Sequence, residues 1–347
     1  MIPQKTRETL FSGAASVAAI FAAFFVVGVF LFLVGRNPIS AYVGILRSGF
    51  GSSFAISETF VAATPIMLCA LGVAIAAWLG LLSVGAEGQL YLGAVGATFV
   101  ALRLPNAPAW LLLPLMATGA CICGAVWSAV PGCLRAKLNV NETIVTLLLN
   151  YVAILLVEYL VHGPWQDPES YSWPQTPAFQ SAAELPRWAG TRLHLGFIIA
   201  MVTAFVCWAM VARTRVGFVA RVIGGNPNAA SYAHYPVARY LIIGMALSGA
   251  VAALAGLCQV SAIEGRLRTG ISPGYGYTGF LVAWLARNHP LGIVAVSVFM
   301  GALMSGGDSL QLREGLPFAT VNILQGAILL FLLCADYVRE RLRRSWV

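Results

Sequence analysis

Residues 57–94 read SETFVAATPIMLCALGVAIAAWLGLLSVGAEGQLYLGA, and the order of apolar and glycine-rich parts in this stretch decides the class of fold. The first part, 57–79, is predominantly apolar over about the 20 residues that an α-helix needs to cross a bilayer. A turn around Gly85 and Gly88 follows, and a second, shorter apolar run begins at once. Transmembrane barrels instead show segments of about ten residues that alternate between apolar and polar. The stretch therefore predicts membrane-spanning helices.

The composition of the whole chain supports the same class. Of its 347 residues, 59% are hydrophobic and 10% are charged, whereas a soluble domain has about a quarter charged residues. Such a chain has too little polar surface for a water-soluble globule and too much apolar content to stay disordered. We expect an all-α polytopic membrane protein in which residues 1–347 form a single transmembrane domain.

Ten apolar runs are predicted as transmembrane helices. The first is longer than the apolar part of a signal peptide and lacks a cleavage site, so we expect it to be retained. The third and eighth are short and rich in glycine. The predicted spans are 14–34, 57–79, 88–102, 110–134, 142–162, 195–212, 240–260, 272–286, 290–310 and 318–338.

The distribution of arginine and lysine predicts the orientation of these spans. With both termini in the cytoplasm, thirteen basic residues lie inside and eight outside, and the clusters at 213–221 and 339–344 are both inside. The connection 213–238 is then cytoplasmic, and the connection 163–194, which holds five prolines and three tryptophans, lies outside. Because the net charge of +8 is spread over the ends of apolar runs, we assign it to lipid head groups and topology. We expect no nucleic acid partner.

Two short stretches indicate an internal duplication. SVGAEGQLYLGA (83–94) follows the second predicted span, SPGYGYTGFLVA (272–283) follows the seventh, and each opens a short glycine-rich span. Since each half would contain an odd number of spans, the second half would be inverted relative to the first. Paired interrupted segments in inverted halves are typical of a transport path near the membrane midplane. We predict an inverted five-plus-five repeat with pseudo-halves at about 14–162 and 195–338.

Polar residues within apolar spans are costly and normally face protein or water, so they are candidates for such a path. Glu87 and Gln89 either form a structural elbow, with Glu87 capping a helix start at the cytoplasmic interface, or form part of a gate. Glu142, Thr146 and Asn150 are spaced four residues apart and share one helix face. This stripe lines the substrate path or supplies hydrogen bonds between helices.

Two aromatic side chains complete the candidate path. Tyr275 and Tyr277 lie at the outer start of a short span, where they belong to an interfacial aromatic belt or stack against a ring-shaped ligand. Asn322, in the last span, is interpreted in the same way. The predicted substrate-path residues are Glu87, Gln89, Glu142, Thr146, Asn150, Tyr275, Tyr277 and Asn322.

The cytoplasmic segment 213–238 differs from the rest of the chain in character. Asn226 and Pro227 predict a turn, and the small residues after them predict a short helix start. Such a segment suits docking against another protein, although a generic loop has the same composition. The chain has no GxxxxGK[ST] or HExxH motif, so we expect no catalytic residue, metal site or cofactor and no enzymatic activity.

Four motifs then resemble a known family. GAEGQLYLGA, LNVNETIVTLLLNYVAILLVEYL, the loop that begins GPWQDP and GFVARVIGGNPNAASYA occur in this order. They are similar to the permease subunits of bacterial nucleoside-type ABC importers, within the branched-chain amino acid/ribose-type permease family, from about residue 57 to 338. The resemblance implies a multi-pass protein of the bacterial inner membrane that imports nucleosides or related small polar solutes.

The resemblance also implies partners. Such permeases work with a second permease, ABC ATPase subunits that hydrolyse ATP, and a periplasmic or lipoprotein substrate-binding protein, in contact with membrane lipids. The segment 217–233 matches the family's coupling loop, which sits in a groove of the ATPase. The residues this match assigns to ATPase coupling are Gly217, Arg221, Gly224, Asn226, Pro227, Ala229 and Ala230.

Two departures from the family pattern and two other functions stay open at this point. Relatives usually carry asparagine at the position of Ser83 and glycine at the position of His234. An ion-coupled secondary transporter is the alternative function, and it would need an intramembrane ion site at Asp308 or Glu142. A membrane scaffold or receptor without transport would instead have a core with no polar path.

Overall fold

The computed structural model describes residues 18, 21–33, 35–170, 173–188, 190–314 and 319–344. Helices dominate this part of the chain, and its β-pairing is limited to two isolated bridges, Gln175 with Arg268 and Arg187 with His194. Six helical stretches are long and apolar enough to cross a membrane. The molecule is therefore an all-α multi-pass membrane protein, as its composition predicts.

The described residues form thirteen α-helices, numbered in chain order. They are α1 (Phe21–Leu33), α2 (Pro38–Phe50), α3 (Ser53–Trp78), α4 (Ala86–Arg103), α5 (Ala109–Leu138), α6 (Glu142–His162), α7 (Gly196–Arg213), α8 (Arg215–Gly225), α9 (Pro227–Tyr232), α10 (Val237–Cys258), α11 (Tyr275–Leu285), α12 (Pro290–Glu314) and α13 (Ala319–Arg344). A 3₁₀ turn covers Ser181–Ala183, and a π-helical turn, Gln259–Glu264, continues α10.

Several observed helices agree with predicted spans, whereas two observed helices were not predicted. Helix α6 has the predicted bounds, and α3, α5 and α7 agree with theirs within a few residues. Helices α2 and α8 were not predicted: α2 is capped by the Asn37 side chain, and α8 begins after Thr214, whose hydroxyl accepts from the Gly217 amide. Both are short helices that carry arginine, so they lack the apolar length on which the span prediction relied.

The chain divides into two compact units. The first contains α1, α2, α13 and the ends of α3 and α12 outside Ser57–Gly301. In it, the Tyr42 hydroxyl donates to the Phe24 carbonyl at 2.5 Å. Gly49 packs against Ala302 so closely that a Cβ atom would lie 2.9 Å from the alanine Cβ. Small residues thus let these helices approach one another.

The second unit, Ser57–Gly301, is built around α4. Helix α4 packs against α5, α6, α10 and α11, and most of its residues are buried. Glycines bring its backbone close to its neighbours, because Gly93 faces Ala253 of α10 and Gly96 faces Gly119 of α5. A Cβ atom at either glycine would collide with the facing backbone. Close backbone approach of this kind holds helices together where no hydrophobic effect drives association.

The connection between α6 and α7 is fastened to the end of α10. The amides of Thr176, Phe179 and Leu185 donate to the carbonyls of Leu267, Gly265 and Ser261 at 2.9, 2.8 and 3.1 Å. The Ser261 hydroxyl also donates to the Ala183 carbonyl. The described residues of this loop are therefore ordered against the π-helical turn, in addition to the stiffness that their prolines provide.

Candidate functional site

The connection between α3 and α4 leaves helical geometry, and the polar stripe of α6 satisfies its backbone. The Leu82 amide donates to the Glu142 carboxylate at 3.1 Å, and the Val84 amide donates to the Thr146 hydroxyl at 3.2 Å. The Thr143 hydroxyl donates to the Leu82 carbonyl at 2.9 Å. A non-helical backbone at membrane depth needs such partners, because an unsatisfied buried amide costs about 1–3 kcal/mol.

Asn150 completes the same stripe and caps α4. Its Oδ1 accepts from the Gly88 amide at 2.8 Å, and its Nδ2 donates to the Val84 carbonyl at 2.9 Å. The N-cap position of α4 is Gly85, which has no side chain to cap the helix. A side chain from α6 therefore performs for α4 the capping that a local Ser, Asp or Asn usually performs.

Glu87 performs the corresponding role for α11. Its carboxylate accepts from the Gly276 amide at 2.6 Å, and the Ser272 hydroxyl and the Tyr277 amide also bond to it. The N-cap of α11, Gly274, has no side chain either. Gly276 lies against the Glu87 backbone with no space for a Cβ atom. The first turns of α4 and α11 are therefore in direct contact.

We call Glu87, Gly88, Asn150, Gly276 and Tyr277 the helix-start junction. The sequence prediction placed Glu87 at the cytoplasmic interface and Tyr277 at the outer one, and the 2.6 Å hydrogen bond between Glu87 and Gly276 shows that this separation is wrong. The physical reason is the length of α11, whose 11 residues extend only about 16 Å, half of the hydrocarbon core. A short helix can begin in the interior, and its capping partner then lies there too.

The remaining predicted path residues lie in different surroundings. Tyr277 is 37% exposed and its hydroxyl interacts with Asn150, whereas Tyr275 is half-buried. The buried Gln89 amide donates to the Ser128 hydroxyl of α5 at 3.0 Å. Asn322 is exposed on α13, in the first unit. The structure thus brings Glu87, Asn150 and Tyr277 together.

The coupling segment, defined as α8 and α9, has a buried side and an exposed side. Ala230 is fully buried in a cluster with Leu79, Leu81, Ile223 and Met245. Arg221, Asn226, Pro227 and Ala229 are exposed, whereas Gly217 is buried against α7. Asn226 caps α9 by accepting from the Ala229 amide at 3.1 Å. The exposed residues are therefore available to a partner, and the buried ones shape the segment.

Sequence reasoning missed the large apolar side chains on the exposed side of this segment. Tyr232 is 86% exposed, and Phe218 and Val216 are 55% and 52% exposed. They lie beyond the predicted membrane spans, where an exposed apolar side chain gains nothing from lipid. Their place in the segment 213–238, which the charge distribution predicts as cytoplasmic, was the signal that could have identified them.

The coupling segment also contacts the α3–α4 connection. Gly224 lies so close to this connection that a Cβ atom on it would be 2.5 Å from the Trp78 carbonyl and 2.9 Å from the Gly80 amide. An open cavity of about 690 Å³ borders the same place, and Arg135, Lys137 and Arg239 are among its lining residues. Among the residues that the structure describes, no three His, Cys, Asp or Glu side chains are grouped as metal ligands.

Comparison with known proteins assigns the chain to a family. A family model described as the permease component of branched-chain amino acid transport systems matches residues 55–333. A glucose ABC transporter permease protein of Haloferax volcanii is 35% identical over 97% of this chain and 91% of its own length. A guanosine ABC transporter permease protein of Bacillus subtilis is 30% identical over 90% of each chain.

A third relative, a nucleoside ABC transporter permease protein of Lactococcus lactis, is 29% identical over 94% of this chain and 91% of its own length. No solved structure matches the chain. The family model and these relatives cover the α3–α4 connection, the helix-start junction and the coupling segment alike. The chain therefore belongs to the branched-chain amino acid-type permease family and is a permease subunit of an ABC importer.

Proposed function

We propose that this permease carries nucleosides or related small polar solutes inward across the bacterial inner membrane, with both of its termini in the cytoplasm. The relatives named for guanosine, nucleosides and glucose support this substrate class. These solutes are neutral and rich in hydroxyl groups. An ion-coupled secondary transporter, the alternative that the sequence left open, is disfavoured because the relatives are named as permease proteins of ABC transporters.

The contact between the coupling segment and the α3–α4 connection is the observation that carries the mechanism. An ATPase that moves α9 would displace Gly224 and, through it, Gly80. The α3–α4 connection leads within a few residues to Glu87 and the helix-start junction. Because close-packed backbone contacts transmit displacement, ATP hydrolysis in the partner can open or close the path at the junction.

The proposed partners follow from the same mechanism. An ABC ATPase docks on the exposed side of the coupling segment and supplies the hydrolysis that this chain does not perform. Bacillus subtilis and Lactococcus lactis each contain a second permease that is similar to this chain, 25% and 22% identical. We propose that a second, related permease completes the path and that a substrate-binding protein delivers the solute to the loop 163–194.

Within the path, we propose different roles for the polar residues. Tyr277 and Tyr275 offer rings to the solute, and Asn150 orients Tyr277. Glu142 and Thr146 hold the α3–α4 connection, as their bonds to Leu82 and Val84 support. Gln89 and Asn322 are further candidates for contact with the solute.

We further propose ten membrane spans arranged as an inverted five-plus-five repeat, with pseudo-halves 14–162 and 195–338. The corresponding positions of α4 and α11 support it. Each follows a long apolar helix, each begins at a glycine without a capping side chain, and each is capped by a residue of another helix. The predicted orientation directs these two helices from the junction toward opposite membrane faces.

The test of this function uses Ala229→Glu. Ala229 is exposed on α9, so the substitution adds bulk and charge to the docking surface without disturbing the core. We expect the variant permease to insert and fold normally but to lose co-purification of the ATPase and ATP-dependent nucleoside uptake. Ala109→Glu, at an exposed alanine at the start of α5, is the matched control and should retain both. Normal uptake with Ala229→Glu would contradict docking at α9.

A further inference from the structure

The Glu87 carboxyl group is buried at the starts of two helices, where amide and hydroxyl donors favour its ionised form. It lies in the first turn of α4 and accepts from the first-turn amides of α11. The residue is 2% exposed. In the part of the chain that the structure describes, no arginine or lysine forms an ion pair with Glu87. Its charge is therefore balanced by backbone amides, the Ser272 hydroxyl and the two helix dipoles.

Helix starts within a membrane protein normally serve a different purpose. Half-helix N-termini point at the anionic groups of substrates, since their free amides and positive dipole ends attract negative charge. At the helix-start junction these amides are already occupied: Glu87 takes those of Gly276 and Tyr277, and Asn150 takes that of Gly88. A second anion would compete with Glu87 and Asn150 for these amides and would meet a like charge in a medium of low dielectric.

We propose that Glu87 is a specificity-determining residue that excludes anionic solutes from the path. The permease then accepts neutral polar solutes such as nucleosides and sugars and rejects their phosphorylated forms. This inference rests on the proposed function, because it concerns the same path and substrate class. The exposed part of the junction is the Tyr277 ring, which a neutral heterocycle or sugar face can contact without a charge partner.

The experiment compares matched neutral and anionic solutes on the assembled transporter in detergent. Saturation-transfer NMR at millimolar concentration measures the binding of guanosine against guanosine 5′-monophosphate and of glucose against glucose 6-phosphate. We expect each neutral solute that binds to the native protein to bind about tenfold more tightly than its phosphate, or better. Working without the binding protein ensures that the measured selectivity belongs to the permease.

Three variants separate charge from structure. Glu87→Gln keeps an acceptor for the Gly276 amide and removes the charge, so the ratio between neutral and anionic solute should fall to about threefold or less. Glu87→Asp keeps the charge and should keep the native ratio. Glu58→Gln removes a carboxylate whose partner is Arg192, at 3.2 Å, and not a residue of the junction, so it should also keep the ratio.

The outcomes distinguish the inference from the proposed function. If the native protein binds a phosphate as tightly as its neutral partner, or if Glu87→Gln keeps the native ratio, the inference is wrong and the proposed substrate class stands. If the native protein binds neither guanosine nor glucose, the proposed substrate class is wrong and the inference falls with it. Thermal unfolding identifies a variant that does not fold. In that case the ratio between neutral and anionic solute measured on the native protein decides whether the inference holds.

Discussion

Replacing Asn150 by leucine should destabilise the permease, and the contacts of Asn150 allow the size of the effect to be worked out. The side chain is completely buried and satisfies both the Gly88 amide and the Val84 carbonyl. Leucine leaves both groups without a partner, at about 1–3 kcal/mol each, so the free energy of unfolding should fall by about 2–6 kcal/mol. Because the Tm of a protein larger than 150 residues falls by about 2–4 °C per kcal/mol of lost stability, the Tm should be lower by about 4–24 °C.

The assay is thermal unfolding of the purified permease in detergent, with ATP-dependent uptake in proteoliposomes measured beside it. Thr146→Val removes the acceptor of one backbone group, the Val84 amide, and adds no charge, so it should show about half the effect. Leu148→Ala, on the lipid-facing side of the same helix with 60% exposure, is the control and should change Tm by about 1 °C or less. If Asn150→Leu keeps the native Tm but loses uptake, the hydrogen bonds of Asn150 to Gly88 and Val84 do not stabilise the fold. Asn150 would then act on the solute alone.

Two further predictions concern residues outside the membrane spans. Burial, with Arg187 and Arg192 nearby, lowers the pKa of His194 to about 4. In the unfolded chain His194 binds a proton below about pH 6.5, whereas in the folded chain it does so only below about pH 4. The free energy of unfolding is therefore highest above pH 6.5 and falls by a few kcal/mol as the pH is lowered to 4. Denaturation of the native protein at pH values from 7 to 4 should show this decrease in the free energy of unfolding, and the His194→Gln variant should lack it. An equal decrease in both proteins would contradict the lowered pKa of His194. His234 has a φ of 61°, a left-handed conformation that glycine adopts with less strain, so His234→Gly should raise the free energy of unfolding by about 0.5–1 kcal/mol. An unchanged or lower value in thermal unfolding would be inconsistent with strain at this position.

Comparison of prediction and structure shows which kinds of feature a local pattern can carry. The apolar length of residues 142–162 predicted a helix with the bounds Glu142–His162 that the structure has. The spacing of Glu142, Thr146 and Asn150 placed them on one face, and all three are buried. In contrast, the sequence does not distinguish Ala229 from Ala230, although one is exposed and the other lies in a core cluster. Adjacent small residues in a short helix differ only in the neighbours that the fold provides.

The sequence by itself determined the membrane class, the positions of the long helices and the resemblance to a permease family, because apolar length, helical spacing and motif order are local properties of the chain. The tertiary structure alone decided where the polar residues meet. Glu87 and Gly276 are 189 residues apart, and a hydrogen bond between them depends on how α4, α6 and α11 pack. No local pattern encodes that packing, since the N-cap residues of α4 and α11 are glycines and the Gly88 and Gly276 amides find their acceptors on helices elsewhere in the chain.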